Sequence, residues 1–374
     1  MGTSLPDGCE AAELLLLDGL PGVGPVKVRA LVRAFGSAAA ALRARHQDFA
    51  AVAGRAAAHA RRDPTLRRDV DEGLGRAERQ GIEVVTWSDP RYPSALWHLT
   101  DPPPVIFLRG RTALLEGVAV TVVGARRATE RARDVAERLG AALAHAGVRV
   151  WSGLALGVDG AVHAGALRAE GATIAVLGTG PDVAYPRAHA RLFEEIAARG
   201  LLVSEFLPGT GVAPHHFPRR NRILAALAGT TVVVEAGVRS GALITVDHAL
   251  DLGRDVWAVP GPIERACCAG SNRLLADGAR PLVSIASFVE AVAGPASRGG
   301  ARTGQRDDAD DRDVEAGDGV AARVMAVLAD APLGADDLAD RCGLPVDTAL
   351  AVLTTLELHG EIERLPGMRY RRAA

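Results

Sequence analysis

The chain has 374 residues, with 43 Lys and Arg against 45 Asp and Glu for a formal net charge of −2, 48% hydrophobic residues and four cysteines. That length exceeds one ordinary domain, no apolar run approaches the ~18 residues that span a bilayer, and no basic stretch leading into an apolar core opens the sequence as a secretion signal would. A cytoplasmic protein without membrane association is expected, and Cys9, the adjacent Cys267 and Cys268, and Cys342 lack C-x-x-C spacing and read as structural thiols rather than a metal site.

Residues 1–80 read as a small helical domain. Leu20-Pro-Gly-Val-Gly-Pro-Val-Lys-Val-Arg29 places a Gly-x-Gly turn between apolar helices, resembling a helix-hairpin-helix unit that can aim backbone N–H groups at a phosphate. A plain helical connector is the competing reading. The acids Asp63, Asp69 and Asp71 largely cancel Arg61, Arg62, Arg67 and Arg68, so this surface is auxiliary at best.

Residues 81–294 alternate apolar runs with helical stretches. Strands are expected at 118–123, 148–151, 173–177, 201–204, 230–235 and 256–259, with helices at about 129–146, 157–170, 187–199, 219–228 and 241–252. Near-continuous apolar strands alternating with helices predict a parallel sheet covered on both faces. Glycine turns follow several strands, at Gly124-Ala-Arg126, at Ser152-Gly153 and at Gly237-Val-Arg-Ser240. Ligands of such sheets bind at the carboxyl ends of the strands, where small residues let backbone amides come close. Leading into the fourth of these helices the chain reads Pro214-His-His-Phe-Pro-Arg-Arg-Asn-Arg222, a knot of Arg219, Arg220 and Arg222 with Phe217 beside it. Guanidinium groups grip phosphate oxygens and a lone Phe can stack on a base, which points to a polyanion. A solvated arginine face is the competing reading.

Residues 295–318 read as a disordered acidic linker. Residues 307–318 alone carry a net −6, and with −2 from residue 319 onward this leaves about +6 for residues 1–306, enough for a basic groove. Residues 319–374 lay out as a winged helix whose expected recognition helix, 345–359, has no Lys or Arg. A protein-contact or regulatory role is expected there instead of DNA binding.

Val122-Val-Gly-Ala-Arg126, Ser152-Gly-Leu-Ala-Leu-Gly-Val-Asp159, His163, Ala175-Val-Leu-Gly178, Tyr185-Pro186, Ser204-Glu205, Phe217-Pro-Arg-Arg-Asn-Arg-Ile223, Val234-Glu-Ala236, Ser240-Gly-Ala-Leu-Ile-Thr245 and Val259-Pro-Gly261 occur in that order. This series resembles the DNA-processing protein DprA (Smf) family over roughly residues 82 to 290. The resemblance implies an α/β fold: an extended Rossmann-like core that dimerises, an N-terminal helical (helix-hairpin-helix/SAM-like) domain and a C-terminal winged helix. It further implies a protein that binds and protects single-stranded DNA and loads the RecA recombinase during natural transformation or related recombination, as a homodimer, with no cofactor and no established turnover. Two positions depart from the family pattern, Ala188-His189 after Pro186 and Cys268 before Gly270-Ser-Asn272.

The candidate DNA-binding residues are Gly124, Arg126, Ser152, Gly153, Phe217, Arg219, Arg220, Asn221, Arg222 and Ser240. Arg126 and the three arginines of the knot are expected to hold phosphates, Ser152 and Gly153 to give close backbone contact, and Phe217 to stack. Whether at least one of the arginines instead turns back to Glu205 or Asp182 is left open. No catalytic residues are assigned. Lys27 is the only lysine, which excludes a Gly-x-x-x-x-Gly-Lys-Ser/Thr phosphate loop. Asp159 and His163, at i and i+4, share a helix face, and Glu205 and Glu235 end strands. The rival reading is a hydrolase or sensor for a nucleotide-like small molecule on a related fold, which would not need the arginine knot.

Overall fold

The N-terminal helices are α1 (Glu10–Asp18), α2 (Pro25–Phe35), α3 (Ala38–Arg43), α4 (His46–Ala53), α5 (Arg55–Ala60) and α6 (Pro64–Arg79). Gly22, at a φ of +69°, lies in the turn between α1 and α2, and Pro25 opens α2 at the position where a missing N–H costs nothing. Leu14, Leu17, Val28, Leu31, Phe49 and Leu74 pack together, and Val105 and Phe107 of the following sheet join the same core. The helical segment therefore closes its hydrophobic face partly on the sheet.

That sheet has nine strands: β1 (Glu83–Thr86), β2 (Val105–Gly110), β3 (Ala119–Val123), β4 (Arg149–Ser152), β5 (Thr173–Val176), β6 (Leu201–Ser204), β7 (Thr230–Val233), β8 (Asp255–Ala258) and β9 (Arg280–Pro281). Their order is β1-β2-β6-β5-β4-β3-β7-β8-β9. From β6 to β9 every pairing is parallel, whereas β1 and β2 join antiparallel at one edge. The helices α7 (Glu130–His145), α8 (Val158–Arg168), α9 (Ala190–Arg199), α10 (His216–Leu227), α11 (Ala242–Asp251), α12 (Ala269–Ala276) and α13 (Ile285–Ala293) cover it. Strand alternation divides the core between the faces: Val120, Val122, Val232 and Val234 meet α7 and α8, while Val123 and Val233 pack with Ile223, Leu224 and Val246 of α10 and α11. The chain leaves β3 for β4, β5 and β6 on one side and returns to β7 on the other. The carboxyl ends of β3 and β7 thus flank a topological switch point, the crevice where α/β sheets bind ligands.

The structure, a computed structural model, describes residues 9–293, 323–328, 333–344, 346–358, 361–365 and 369–372. It divides into two compact units near residue 300. The expected linker, 295–318, lies outside the described residues. In the second unit a helix at 323–327 (α14), α15 (Ala335–Cys342), α16 (Val346–Leu358) and the strands β10 (Leu333–Gly334), β11 (Ile362–Leu365) and β12 (Arg369–Arg372) form a winged helix. Its sheet order is β10-β12-β11. The basic residues avoid α16, as read from the sequence, and Arg369, Arg371 and Arg372 all fall on β12, where Arg371 pairs with Glu363. Among the described residues no helix is long and apolar enough to cross a membrane.

Asp159 and His163 on α8 do not converge on one ligand. Asp159 turns toward the loop after β4, whereas His163 is fully buried with Nδ1 2.7 Å from Thr173 Oγ1 on β5. Burial pushes the His163 ring down to about 3. An unfolded chain protonates this imidazole below its ordinary value of about 6.5 while the folded chain does not, so folding stability falls as pH drops from that value toward the folded one. Between pH 7 and pH 5 this group is expected to remove about 2 kcal/mol. Urea titrations at the two pH values, with wild type and His163→Gln, check it: the variant should lose correspondingly less stability across the interval.

Candidate nucleic-acid interface

A cavity of about 740 Å³ opens at the switch point, walled by the turn after β3, the start of α10 and the loop between β7 and α11. Each wall has a local reason to come close. A Cβ on Gly124 would run into the Val158 side chain, so only glycine lets β3 turn over the start of α8. Asn221 Nδ2 donates to Gly241 O at 3.2 Å, tying α10 to the opposite loop, and Ser240 Oγ accepts from Ala242 N at 3.4 Å where α11 begins.

Three exposed arginines line this cavity, Arg126 and Arg127 from the turn after β3 and Arg239 from the loop after β7. Among the described residues none of the three is ion-paired. The Arg126 guanidinium lies 5.1 Å from the centre of the Phe217 ring, and the Tyr185 ring lies 5.5 Å from Phe217 at 39°. Phe217 rests against Gly178, whose missing side chain makes room for the ring. An exposed cation above an accessible aromatic pair offers a phosphate grip next to a stacking platform.

Arg220 also lines the cavity but is 4% exposed. Its Nη1 donates to Val176 O, and its guanidinium lies against Gly153, where any Cβ would displace it. The buried Asp159 carboxylate accepts from Gly153 N at 3.1 Å and Ala155 N at 3.3 Å. Burial pushes the Asp159 carboxyl up, and burial brings Arg220 down to about 10 although Asp159 opposes that shift. Arg220 and Asp159 therefore form the buried polar floor of the site.

The expectation that the whole knot lines one rim is not met. Arg222 is buried, with Nη2 2.5 Å from Glu205 Oε2 and Nε 3.2 Å from Asp101 Oδ2, the latter an ion pair out of hydrogen-bonding alignment. Arg219 pairs through Nε with Glu205 at 3.0 Å and through Nη2 with Asp18 of α1 at 3.2 Å. α10 begins at His216, three residues earlier than expected, and its helical turn is what carries both away from the cavity lining. Residues 219 and 222 then share one face and residue 220 points about 100° away. The open alternative resolves toward Glu205, with two arginines turned back. Burial pushes the Glu205 and Asp18 carboxyls up, and the neighbouring guanidiniums oppose this. This cluster clamps the helical segment to the sheet. Ser152 is likewise internal: fully buried, its Oγ donates to Val122 O at 2.7 Å and braces β4 on β3.

Gly124, Arg126, Phe217, Arg220, Asn221 and Ser240 thus meet at one cavity, Gly153 supports it from behind Arg220, and Ser152, Arg219 and Arg222 do not reach it. Sequence reasoning passed over Arg127, Arg239 and the ring of Tyr185. The available signal was position, since both arginines fall within three residues after a glycine in the turn that follows a strand.

A profile of the DNA recombination-mediator protein A family matches residues 83–293, and one of the DprA winged helix domain matches residues 308–368. Protein Smf of Synechocystis sp. is 31% identical over 396 residues, covering 97% of this chain and 99% of that one. A solved structure of DNA processing protein A (DprA) from Streptococcus pneumoniae is similar with a TM-score of 0.62 at 31% identity, covering 74% of this chain and 95% of that one. A second, DNA processing protein A from Helicobacter pylori, was described for its single-stranded DNA binding mode. It gives a TM-score of 0.52 at 28% identity and covers 56% of this chain and 94% of that one.

Proposed function

The chain belongs to the DNA recombination-mediator protein A (DprA/Smf) family, and on that premise we propose that it binds single-stranded DNA across the cavity at the carboxyl ends of β3 and β7. The observation that carries this reading is the set of three exposed arginines without ion-pair partners among the described residues, Arg126, Arg127 and Arg239, around the Phe217–Tyr185 ring pair. The arginines take phosphates and Phe217 takes a base. Gly124, Arg220, Asn221 and Ser240 shape the wall between them, and Gly153 holds Arg220 in place. Family membership further supports a binding protein, not an enzyme, one that protects exposed strands and passes them to the RecA recombinase as a homodimer in natural transformation or homologous recombination.

A phosphate-led interface must respond to salt. Three phosphate contacts give a slope of about −2 in log affinity against log salt for a single strand, hence roughly a 15–20-fold loss between 50 and 200 mM. Mobility-shift titrations of an oligothymidine should show that slope, weaker binding to blunt duplex, and poor competition by nucleoside monophosphates. Full competition by a mononucleotide would instead favour a nucleotide-like small-molecule ligand.

A further inference from the structure

A second cavity, of about 290 Å³, lies apart from the proposed strand site, and Glu235, Cys267 and Cys268 all face it. Their ligating atoms, one carboxylate oxygen and two Sγ, lie within 4.8 Å of one another, and the two sulfurs are 3.9 Å apart. Two thiolates bound about 2.3 Å from one tetrahedral ion sit about 3.8 Å from each other, so the observed spacing is that of a chelate. It is not that of a nascent disulfide, because neighbouring residues hold their Cα atoms about 3.8 Å apart, shorter than the roughly 4.4–6.8 Å usual for a bridge. The elements fix the arrangement from both sides. Glu235 accepts from Thr129 N at 3.0 Å and Thr129 Oγ1 at 2.7 Å, which orients its carboxylate at the start of α7. Cys268 Sγ is pressed onto Gly261, where a Cβ would collide with it. Arg131 and Arg265 line the same cavity and offset the charge of three anionic ligands.

We propose that Glu235, Cys267 and Cys268 form a three-ligand site for a thiophilic divalent cation of the Zn²⁺ class, with the fourth coordination position open to the cavity. Binding exchanges the two thiol protons for the ion, so affinity rises with pH. The site reaches the first cavity through one backbone bond, Ala125 N to Glu235 O at 2.7 Å, which joins it to the turn carrying Arg126. The inference does not depend on DNA binding.

Titrating the reduced full chain with Co²⁺ should give thiolate-to-metal charge-transfer and tetrahedral ligand-field bands that saturate at one ion per chain and are displaced by Zn²⁺. Cys267→Ser, at a half-buried position that tolerates the change, should weaken Co²⁺ binding by at least the roughly 10–100-fold that loss of even an outer partner costs. Glu235→Gln should also weaken it, and the Cys9→Ser/Cys342→Ser double variant should titrate as wild type. An unchanged titration in Cys267→Ser would overturn the proposal, as would the absence of any one-per-chain site tighter than about 100 µM.

Discussion

Replacing Arg222 by methionine is expected to lower folding stability by about 3 kcal/mol, the lower end of what breaking a buried ion pair costs. The loss arises at Glu205, which sits 6% exposed between Arg222 and Arg219 and keeps only Arg219 once its other partner is gone. Asp101 loses its cation as well but is partly solvated and adds little. Since the penalty is an uncompensated buried carboxylate, Glu205→Gln on the Arg222→Met background should recover a substantial part of it. Denaturant midpoints of wild type, the single variants and the double variant check this. A loss under about 1 kcal/mol in Arg222→Met, or strictly additive losses in the double variant, would show that the cluster is not the clamp described. The same experiment separates Arg222 from the strand site, because a properly folded Arg222→Met protein should bind single-stranded DNA nearly as wild type does.

Arg126→Glu should behave in the opposite way, leaving stability within about 0.5 kcal/mol, as exposed substitutions do, while weakening single-strand binding by roughly 10–100-fold. That range corresponds to losing one charge-assisted contact of about 1.5–3 kcal/mol, and the introduced anion repels the phosphate besides. Phe217→Ala should cost about 1–3 kcal/mol through lost stacking. The two are distinguishable by salt: Arg126→Glu should flatten the log affinity against log salt plot by about 0.7 or more, one phosphate's share for a single strand, whereas Phe217→Ala should leave its slope intact. Fluorescence-anisotropy titrations at three salt concentrations measure both. Unchanged affinity in a folded Arg126→Glu protein would remove the β3 turn from the interface.

Six of the parallel strands were legible in the sequence because helices on both faces make them near-continuously apolar, and runs such as Val120–Val123 then stand out. The antiparallel edge was not. Val105–Leu108 is as apolar as any of them but follows three prolines, and its partner β1 ends among polar residues, so neither belonged to the strand–helix alternation that revealed the rest. Short β9 and the glycine-containing α12 offered no period to detect. Gly270 there is a packing requirement, since a Cβ would strike the Gly237 backbone. The arginine knot misled for a different reason. Its composition announced a polyanion, but composition carries no direction, and the way α10 is turned against the sheet decides which guanidiniums meet Glu205 and which meets the cavity. Arg126 was identifiable because a glycine turn at a strand end fixes where the next side chains point. The same rule applied one residue further would have found Arg127.

The most direct test is a crystal structure of the full chain with a short oligothymidine. Phosphates within hydrogen-bonding distance of Arg126 and of Arg127 or Arg239, with a base against Phe217, are the expected result. A strand bound along β12 of the winged helix or at the α1–α2 turn, with the cavity between β3 and β7 free of nucleotide, would contradict it.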